Sequence, residues 1–176
     1  MLRTPRILII AAVAFALSES SWAGESEDVG QVRDLLYTEM GGFLKGDPDQ
    51  IISCYASGFV GYGAWGNEPE LWTVGIVGLD SLLTQYAASA VEWAANFAKH
   101  PEWKYGNEVL HIDVKNDRAI ALTKHWAAMP DTTARETIVG QHQSVWMLAK
   151  NDGEWKITSF IGGITFDQKI WKMPPE

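Results

Sequence analysis

The chain has 176 residues and a formal net charge of −8, with 14 basic against 22 acidic residues. Binding to nucleic acids or anionic membranes needs clustered Lys and Arg, and here the basic residues are scattered singly, which argues against both kinds of partner. The length suits one domain that can bury a core, and the only cysteine, Cys54, rules out an internal disulfide.

The first 23 residues have the parts of a secretory signal peptide. Two arginines precede the apolar run 7–17, and small residues, Ser21 and Ala23, occupy the positions that a signal peptidase inspects. The run is shorter than the about 20 residues that a membrane span needs. We therefore expect cleavage after Ala23, a single mature domain at 24–176 in the periplasm or outside the cell, and no membrane contact afterwards. A retained N-terminal anchor is the alternative.

Three helices are predicted in the first part of the mature chain. Apolar residues recur at helical spacing over 26–44, with Ser26 as the N-cap. Asp47 and Pro48 are suited to cap and start a second, short helix. The longest helix is expected over 78–100, where the following proline ends it.

Alternating apolar and polar residues dominate the rest of the chain. A short β-like stretch at 59–62 precedes a loop at 63–69, and four longer alternating runs follow the last helix, separated by turn signals at 115–117 and 150–153. Such a series predicts an α+β domain in which a curved antiparallel sheet wraps the three helices and encloses a conical cavity. The four runs are 108–113, 118–129, 135–150 and 154–165.

Side-chain alternation predicts which residues of the second run line this cavity. The bulkier set contains Ile120, Leu122, Lys124 and Trp126, and we expect it to face the helices. This facing places Lys124 in an apolar space, where desolvation lowers the pKa of an amine and makes it a candidate base or anion anchor. A lysine that extends to water near the strand end is the alternative.

Aromatic residues are unusually frequent, with nine tryptophans in the chain. Trp65, Trp126 and Trp146 fall on segments that would border the cone, and Tyr55 and Tyr62 could present phenols from its wall. Aromatic walls suit a flat apolar ligand. Ordinary core and dimer packing is the competing explanation.

Three segments occur in a characteristic order: 43–51 with Tyr55 and Phe59 after it, then 116–121, then 152–157. This order resembles the nuclear transport factor 2-like superfamily, in particular its SnoaL-like bacterial branch, over residues 26–166. The resemblance implies a cone-shaped, cystatin-like α+β fold and homodimers through the open sheet face. It also implies a pocket that in some members isomerises ketosteroids, hydrolyses epoxides, or dehydrates or cyclises polyketides.

The ketosteroid isomerase branch can be compared position by position. Its aspartate base falls where this chain has Gly63, and its oxyanion-hole tyrosine and acid fall near Glu39 and Ser144. None of the three positions carries the required residue type, so the resemblance does not support that activity. The Asp-Arg-Asp set of the epoxide hydrolase branch is not visible either.

Alignment with the family through Trp146 places His142, Ser144 and Trp146 on the inward side of the third run. A histidine and a serine two residues apart on one face can hold a polar ligand group or move a proton. A structural histidine, or the opposite facing, is the alternative. We predict His142 and Lys124 as candidate catalytic residues, and we expect neither a metal nor a cofactor. The candidates for ligand binding are Tyr55, Tyr62, Trp65, Trp126, Ser144 and Trp146.

These observations predict an exported, small-molecule-binding domain with an aromatic-lined pocket for an apolar or aromatic ligand. One alternative is a cofactor-independent isomerase, dehydratase or cyclase that uses His142 or Lys124 as its base. A second is a dimeric interaction module without a ligand. The scaffold hosts many functions, so likeness of fold alone does not choose between them.

Overall fold

The computed structural model describes residues 26–63, 73–131, 134 and 136–172. The expected signal peptide at 1–23, Trp65 and the expected loop beyond Gly63 lie outside these ranges, so they stay predictions. Within the described ranges the elements are α1 (Glu27–Lys45), α2 (Pro48–Ser53), β1 (Tyr55–Gly63), β2 (Thr73–Val77), α3 (Gly78–Ser81, Leu82–Ala87 and Ala88–Lys99), β3 (Lys104–Lys115), β4 (Arg118–Asp131), β5 (Glu136–Asn151) and β6 (Glu154–Lys172).

The first two helices begin at the predicted caps. The Oγ of Ser26 accepts a hydrogen bond from the N–H of Val29, and Asp47 caps α2 in the same way. α1 ends at Gly46, which has a left-handed φ of +63°. A β-carbon at Gly46 would lie 2.9 Å from the Cβ of Ala94 in α3, so the turn between α1 and α2 lies directly against α3.

α3 runs without a break over 78–99 and contains a π-helical segment, Leu82–Ala87. A π-helical segment widens the helix locally, and such segments are frequent at functional sites. Tyr86 belongs to this segment and lies on the wall of the cavity described below. No helix in the described part of the chain is both long enough and apolar enough to cross a membrane.

The six strands form one sheet in the order β2-β1-β6-β5-β4-β3. β3 to β6 make the predicted antiparallel meander, and tight turns join β3 to β4 and β5 to β6. In the turn between β5 and β6, Asp152 and Gly153 have φ values of +51° and +85°, as a two-residue hairpin turn requires.

Two features of the sheet were not predicted. β1 pairs with β6 in parallel, so the sheet is mixed and not wholly antiparallel. β2 pairs with β1 at the sheet edge. Both depend on partners that local alternation cannot identify, because β1 and β6 are far apart in the sequence.

The predicted facing of β4 is wrong for Ile120 and Lys124, although Trp126 of the same set lines the cavity described below. The buried side chains are Ala121, Thr123 and His125, whereas Ile120 is 55% exposed and Lys124 lies on the outer set with it. The bulk that fills this part of the concave face comes from β5, where Trp146 is the direct cross-strand neighbour of Ala121. β4 therefore needs only small inward residues there, and the predicted rule that the bulkier set faces the helices fails.

The core lies between the helices and the concave face of the sheet. Aliphatic and aromatic side chains from both layers are at most 1% exposed, including Leu36, Ile51, Phe59, Leu82, Leu148 and Ile157. On β5, Ser144, Trp146 and Leu148 are buried and Met147 is exposed, which agrees with the predicted facing of this strand.

Candidate functional site

A cavity of about 590 Å³ lies between the helices and the concave face of the sheet. This volume is in the range that small-molecule sites occupy. Two sets of polar groups at its wall are defined below as the acid cluster and the histidine pair. The apolar part of the wall consists mainly of Met40, Phe43, Ile76, Trp93, Met129, Ile138, Trp146 and Phe160.

The acid cluster consists of Glu39, Tyr55 and Tyr86. The hydroxyl of Tyr55 donates to Oε1 of Glu39 at 2.9 Å, and the hydroxyl of Tyr86 also hydrogen-bonds this carboxyl group. Glu39 is 1% exposed, yet it lines the cavity together with Tyr86, whereas Tyr55 lies outside the lining. The three elements α1, β1 and α3 therefore place one carboxyl group and its two donors at the cavity wall.

Burial controls the ionisation of the acid cluster. Desolvation raises the pKa of Glu39 to about 7, and the two phenol hydrogen bonds oppose it with smaller effects. Burial, followed by the charge of Glu39, raises the pKa values of Tyr55 and Tyr86 well above the ordinary value. Both phenols therefore stay protonated and donate near neutral pH, while Glu39 is close to half ionised.

Glu39 was not among the predicted site residues, although the sequence carries a signal for it. The apolar stripe of α1 includes Val32, Leu36 and Met40, and Glu39 lies on the same side of the helix. A carboxyl group within such a stripe must be buried with hydrogen-bond partners or interrupt the core. That contradiction in the helical pattern marks the residue.

The histidine pair consists of His125 on β4 and His142 on β5, which are direct cross-strand neighbours. Their rings stack with centroids 4.8 Å apart and planes 20° apart. Burial, followed by the charge of His142, lowers the pKa of His125 to about 3, and burial also lowers the pKa of His142. Both rings line the cavity and are neutral at neutral pH.

A directed chain of hydrogen bonds fixes His125. The indole N–H of Trp146 can only donate, and it does so to Oγ1 of Thr123 at 2.8 Å. Oδ1 of Asn107 can only accept, so Nδ1 of His125 carries the ring proton and donates to it. Nε2 of His125 is then an acceptor, and it lies 2.9 Å from the Thr123 hydroxyl. His125 is thus held neutral in one orientation, and the half-buried His142 is the more accessible ring of the pair.

No protein-family model matches the sequence, and no curated protein matches it. Solved structures are similar to it. A ketosteroid isomerase-like protein from Erwinia carotovora atroseptica is 14% identical, with 78% of this chain and 96% of that chain covered and a TM-score of 0.52. A putative ketosteroid isomerase from Shewanella frigidimarina is 15% identical, with 73% and 91% covered and a TM-score of 0.55. An NTF-2-like protein of unknown function from Silicibacter pomeroyi is 16% identical, with 82% and 98% covered and a TM-score of 0.52.

This chain has the nuclear transport factor 2-like fold. Identities this low show the fold alone, because one fold hosts many functions. The predicted cone of helices and curved sheet is confirmed, whereas the SnoaL-like branch stays a prediction.

The positions compared with the ketosteroid isomerase branch meet in space. Gly63, Glu39 and Ser144 all line the cavity of this nuclear transport factor 2-like domain. The chain thus carries a glycine, a buried acid and a serine where the resemblance places that branch's base, phenol and acid. The fold thus brings the three positions together, and the residues at these positions differ from those of that branch.

The cavity brings together five of the predicted site residues and leaves three outside its described lining. Lys124 is directed to the outer face, Tyr55 lies outside the lining while bonding Glu39, and Trp65 is outside the described residues. Trp126 is 38% exposed, and its indole rests over Gly106 of β3, where a β-carbon would overlap it. The five that line the cavity are Tyr62, Trp126, His142, Ser144 and Trp146.

In the described part of the chain, no group of three His, Cys, Asp or Glu side chains is arranged to hold a metal ion. Of the acid cluster and the histidine pair, Glu39, Tyr86 and His125 were not predicted as site residues. His125 was missed because the facing of β4 was reversed. Tyr86 falls within the predicted longest helix, where helical spacing alone indicates only a packing role.

The raised pKa of Glu39 predicts a measurable pH dependence of stability. In the folded chain the Glu39 carboxyl group keeps its proton up to about pH 7. In the unfolded chain it has the ordinary pKa of 4.5 and loses the proton above that pH. The free energy of unfolding therefore loses a contribution as the pH rises from 4.5 to 7, by about 3 kcal/mol at ~1.4 kcal/mol per pKa unit. Glu39→Gln removes this pH-dependent loss. In urea unfolding, the free energy of unfolding of the variant should therefore rise relative to that of the parent by about 3 kcal/mol between pH 4.5 and pH 7.

In both the parent and the Glu39→Gln variant, His125 changes the free energy of unfolding with pH in the opposite direction. Its lowered folded-state pKa stabilises the fold increasingly as the pH rises from about 3 to 6.5. Because the parent and the Glu39→Gln variant share His125, its contribution cancels in their difference. A difference that does not change with pH would show that the Glu39 carboxyl group ionises normally in the folded chain.

Proposed function

We propose that this protein binds a small, flat, largely apolar molecule in the cavity of its cone, with polar groups of the ligand held at the acid cluster or the histidine pair. The observation that carries the proposal is a cavity of about 590 Å³ with mainly aromatic and aliphatic walls and a few converging polar groups. This combination is typical of small-molecule sites. Export to the periplasm or the medium, expected from residues 1–23, belongs to the same proposal.

Glycines in the wall argue that the cavity is an open space for a ligand and not a side-chain-filled core. Gly75 and Gly140 line it, and among the described residues no atom lies within 4 Å of the place that a β-carbon would occupy on either. Empty apolar space of this size weakens a core because its lining loses contacts. A chain that keeps glycines beside such a space supports binding over an interaction module with a plugged pocket.

Gly140→Leu tests the site directly, because the new side chain would enter the cavity without meeting existing atoms. We expect it to weaken binding of the neutral fluorescent probe N-phenyl-1-naphthylamine by more than about tenfold, since it removes the space that the rings occupy. Titrations followed by probe fluorescence measure this.

The matched control is Gly58→Leu, which also has no atom within 4 Å of its β-carbon position but lies outside the cavity lining. It should bind the probe like the parent. Equal binding by Gly140→Leu and the parent would mean that the probe does not enter the cavity, and the proposal would fail.

A proton-transfer enzyme is the second candidate. His142 lines the cavity as a neutral imidazole, two residues from Ser144 on the same strand face. A neutral imidazole can accept a proton from a bound carbon acid, as isomerisation, dehydration or cyclisation would need. The enzyme hypothesis now concerns His142 alone, because Lys124 lies on the outer face.

Solvent exchange distinguishes the enzyme from the binder without a known substrate. The aromatic ketone 2-tetralone, incubated with the protein in D₂O, should gain α-deuterium faster than in buffer if His142 acts as a base. His142→Gln should remove the acceleration while keeping ketone affinity within about threefold, and Lys124→Met should leave both unchanged. NMR measures the exchange. If the ketone exchanges no faster with the parent protein than in buffer, the enzyme candidate is refuted and binding stays the proposed function.

We further propose a homodimer formed through the outer face of the sheet. Ile120 and Met147 are direct cross-strand neighbours there and are 55% and 36% exposed. Leu122 and Val145, the next pair with this facing, are half-buried. A contiguous apolar patch of this kind marks an interface, and a second copy of the chain offers the same patch in a two-fold arrangement.

Ile120→Glu should convert the dimer to a monomer, because two carboxylates would be buried near the two-fold axis. Sedimentation velocity measures the change. Val91→Glu is the control, since Val91 is 46% exposed on α3, away from the sheet. A parent that is monomeric at high micromolar concentration would refute this interface.

A further inference from the structure

The described wall of the cavity can carry a negative charge but no positive charge near neutral pH. Among its described lining residues there is one carboxyl group, that of Glu39, and there is no Lys or Arg. The histidines of the described wall, His125 and His142, are neutral because burial lowers their pKa values. Any formal charge that the described wall carries near neutral pH is therefore negative and belongs to Glu39.

The neighbours of Glu39 supply hydrogen bonds but no positive charge. Tyr55 and Tyr86 face it from β1 and α3. Cys54 and Tyr105 interact with its charge from the C-cap of α2 and from β3. All four are neutral near pH 7, since burial raises the pKa of Cys54 to about 11 and that of Tyr105 to about 12. A buried carboxylate without a cation is unfavourable, and a cation that arrives with a ligand would relieve it.

The carboxyl group of Glu39 also has room for another donor. An ionised carboxylate can accept about four hydrogen bonds, and the described phenols of Tyr55 and Tyr86 account for two. These two phenols hold the group in place at the cavity wall. A ligand N–H is suited to the remaining acceptor sites because charge-assisted bonds of this kind are short and strong.

A row of aromatic rings continues from the acid cluster along the cavity. Tyr86 lies 5.2 Å from Phe43 and 6.0 Å from Phe160 between ring centroids. Phe43 in turn lies 6.5 Å from Trp93, and Phe160 lies 5.3 Å from Trp146. All five rings line the cavity. Such rings attract cations through their faces and pack against a flat apolar body.

We infer that the ligand is an organic amine, whose ammonium group binds Glu39 while its apolar body packs against the aromatic row. This inference deepens the proposed function and depends on binding in the same cavity. A ligand with a carboxylate would be repelled by Glu39, and a neutral alcohol or ketone would leave the ionised form without a counter-ion.

Three naphthalene probes with the same ring and different heads test the inference: 2-naphthylmethylamine, 2-naphthylmethanol and 2-naphthoic acid. At about pH 8 the amine should bind the full chain at least about tenfold more tightly than the alcohol, and the acid should bind most weakly. The advantage of the amine over the alcohol should shrink at about pH 5.5, because Glu39 then takes up a proton. Isothermal titration calorimetry measures all three affinities.

Glu39→Gln should reduce the amine to the affinity of the alcohol while changing the affinity of the alcohol by less than about threefold. Tyr86→Phe provides a second test if the first variant folds poorly. It keeps the ring and removes a donor to Glu39, so the pH at which the amine gains its advantage should rise. Glu92→Gln, on the exposed side of α3, is the control and should behave like the parent.

The outcomes separate this inference from the function that it depends on. If the alcohol binds and Gly140→Leu prevents it, but the amine has no advantage, the cavity binds ligands and the amine inference is wrong. An alcohol that gains affinity as the pH falls would instead show that Glu39 acts as a neutral donor, which also overturns it. If none of the probes binds, both proposals fail.

Discussion

The pairing of small with large side chains across β4 and β5 decides where the interior is filled and where it is open. At the core end of this ladder, Ala121 stands opposite Trp146, so one large ring fills the space that the small residue leaves. At the other end Ala127 stands opposite Gly140, and both line the cavity. Because interiors otherwise pack to crystal-like density, a pair of small residues such as Ala127 and Gly140 on the concave face leaves space. The register of β4 and β5 therefore helps to set where the described part of the cavity is open.

Local signals were enough to predict most of the fold. Ser26 and Asp47 cap helices through their own side chains, and Asp152 with Gly153 imposes a tight turn, so each of these boundaries depends on adjacent residues only. The parallel pairing of β1 with β6 depends on a distant partner and was missed. The facing of β4 was missed for a different reason. Side-chain bulk is a good guide to burial only where the opposite strand does not supply the bulk, and here Trp146 supplies it.

The site was harder to predict than the fold because its central residue contradicts its surroundings. A buried glutamate costs stability, and the shift in its pKa corresponds to about 3 kcal/mol, a large part of the 5–15 kcal/mol that holds a typical domain together. Conflicts of this size between local pattern and global fold are expected at functional sites. Glu39 also lies where the resemblance places a phenol in the ketosteroid isomerase branch. The same fold position is thus occupied by a group that can carry a negative charge near neutral pH.

The same apolar wall acts on acids and bases in opposite ways, and this gives the cavity its electrostatic character. Desolvation disfavours every charged form, so it lowers the pKa values of His125 and His142 and raises that of Glu39. The pKa values of both histidines are thereby moved further below neutral pH, so the rings stay uncharged. The pKa of Glu39 is instead moved up to about neutral pH. A cation beside this carboxyl group would favour its ionised form, and a neutral hydrogen-bond acceptor would favour its protonated form. If the cavity binds a ligand, the charge of that ligand would set the charge of the wall, and the protonation state of Glu39 would report which kind of ligand is bound.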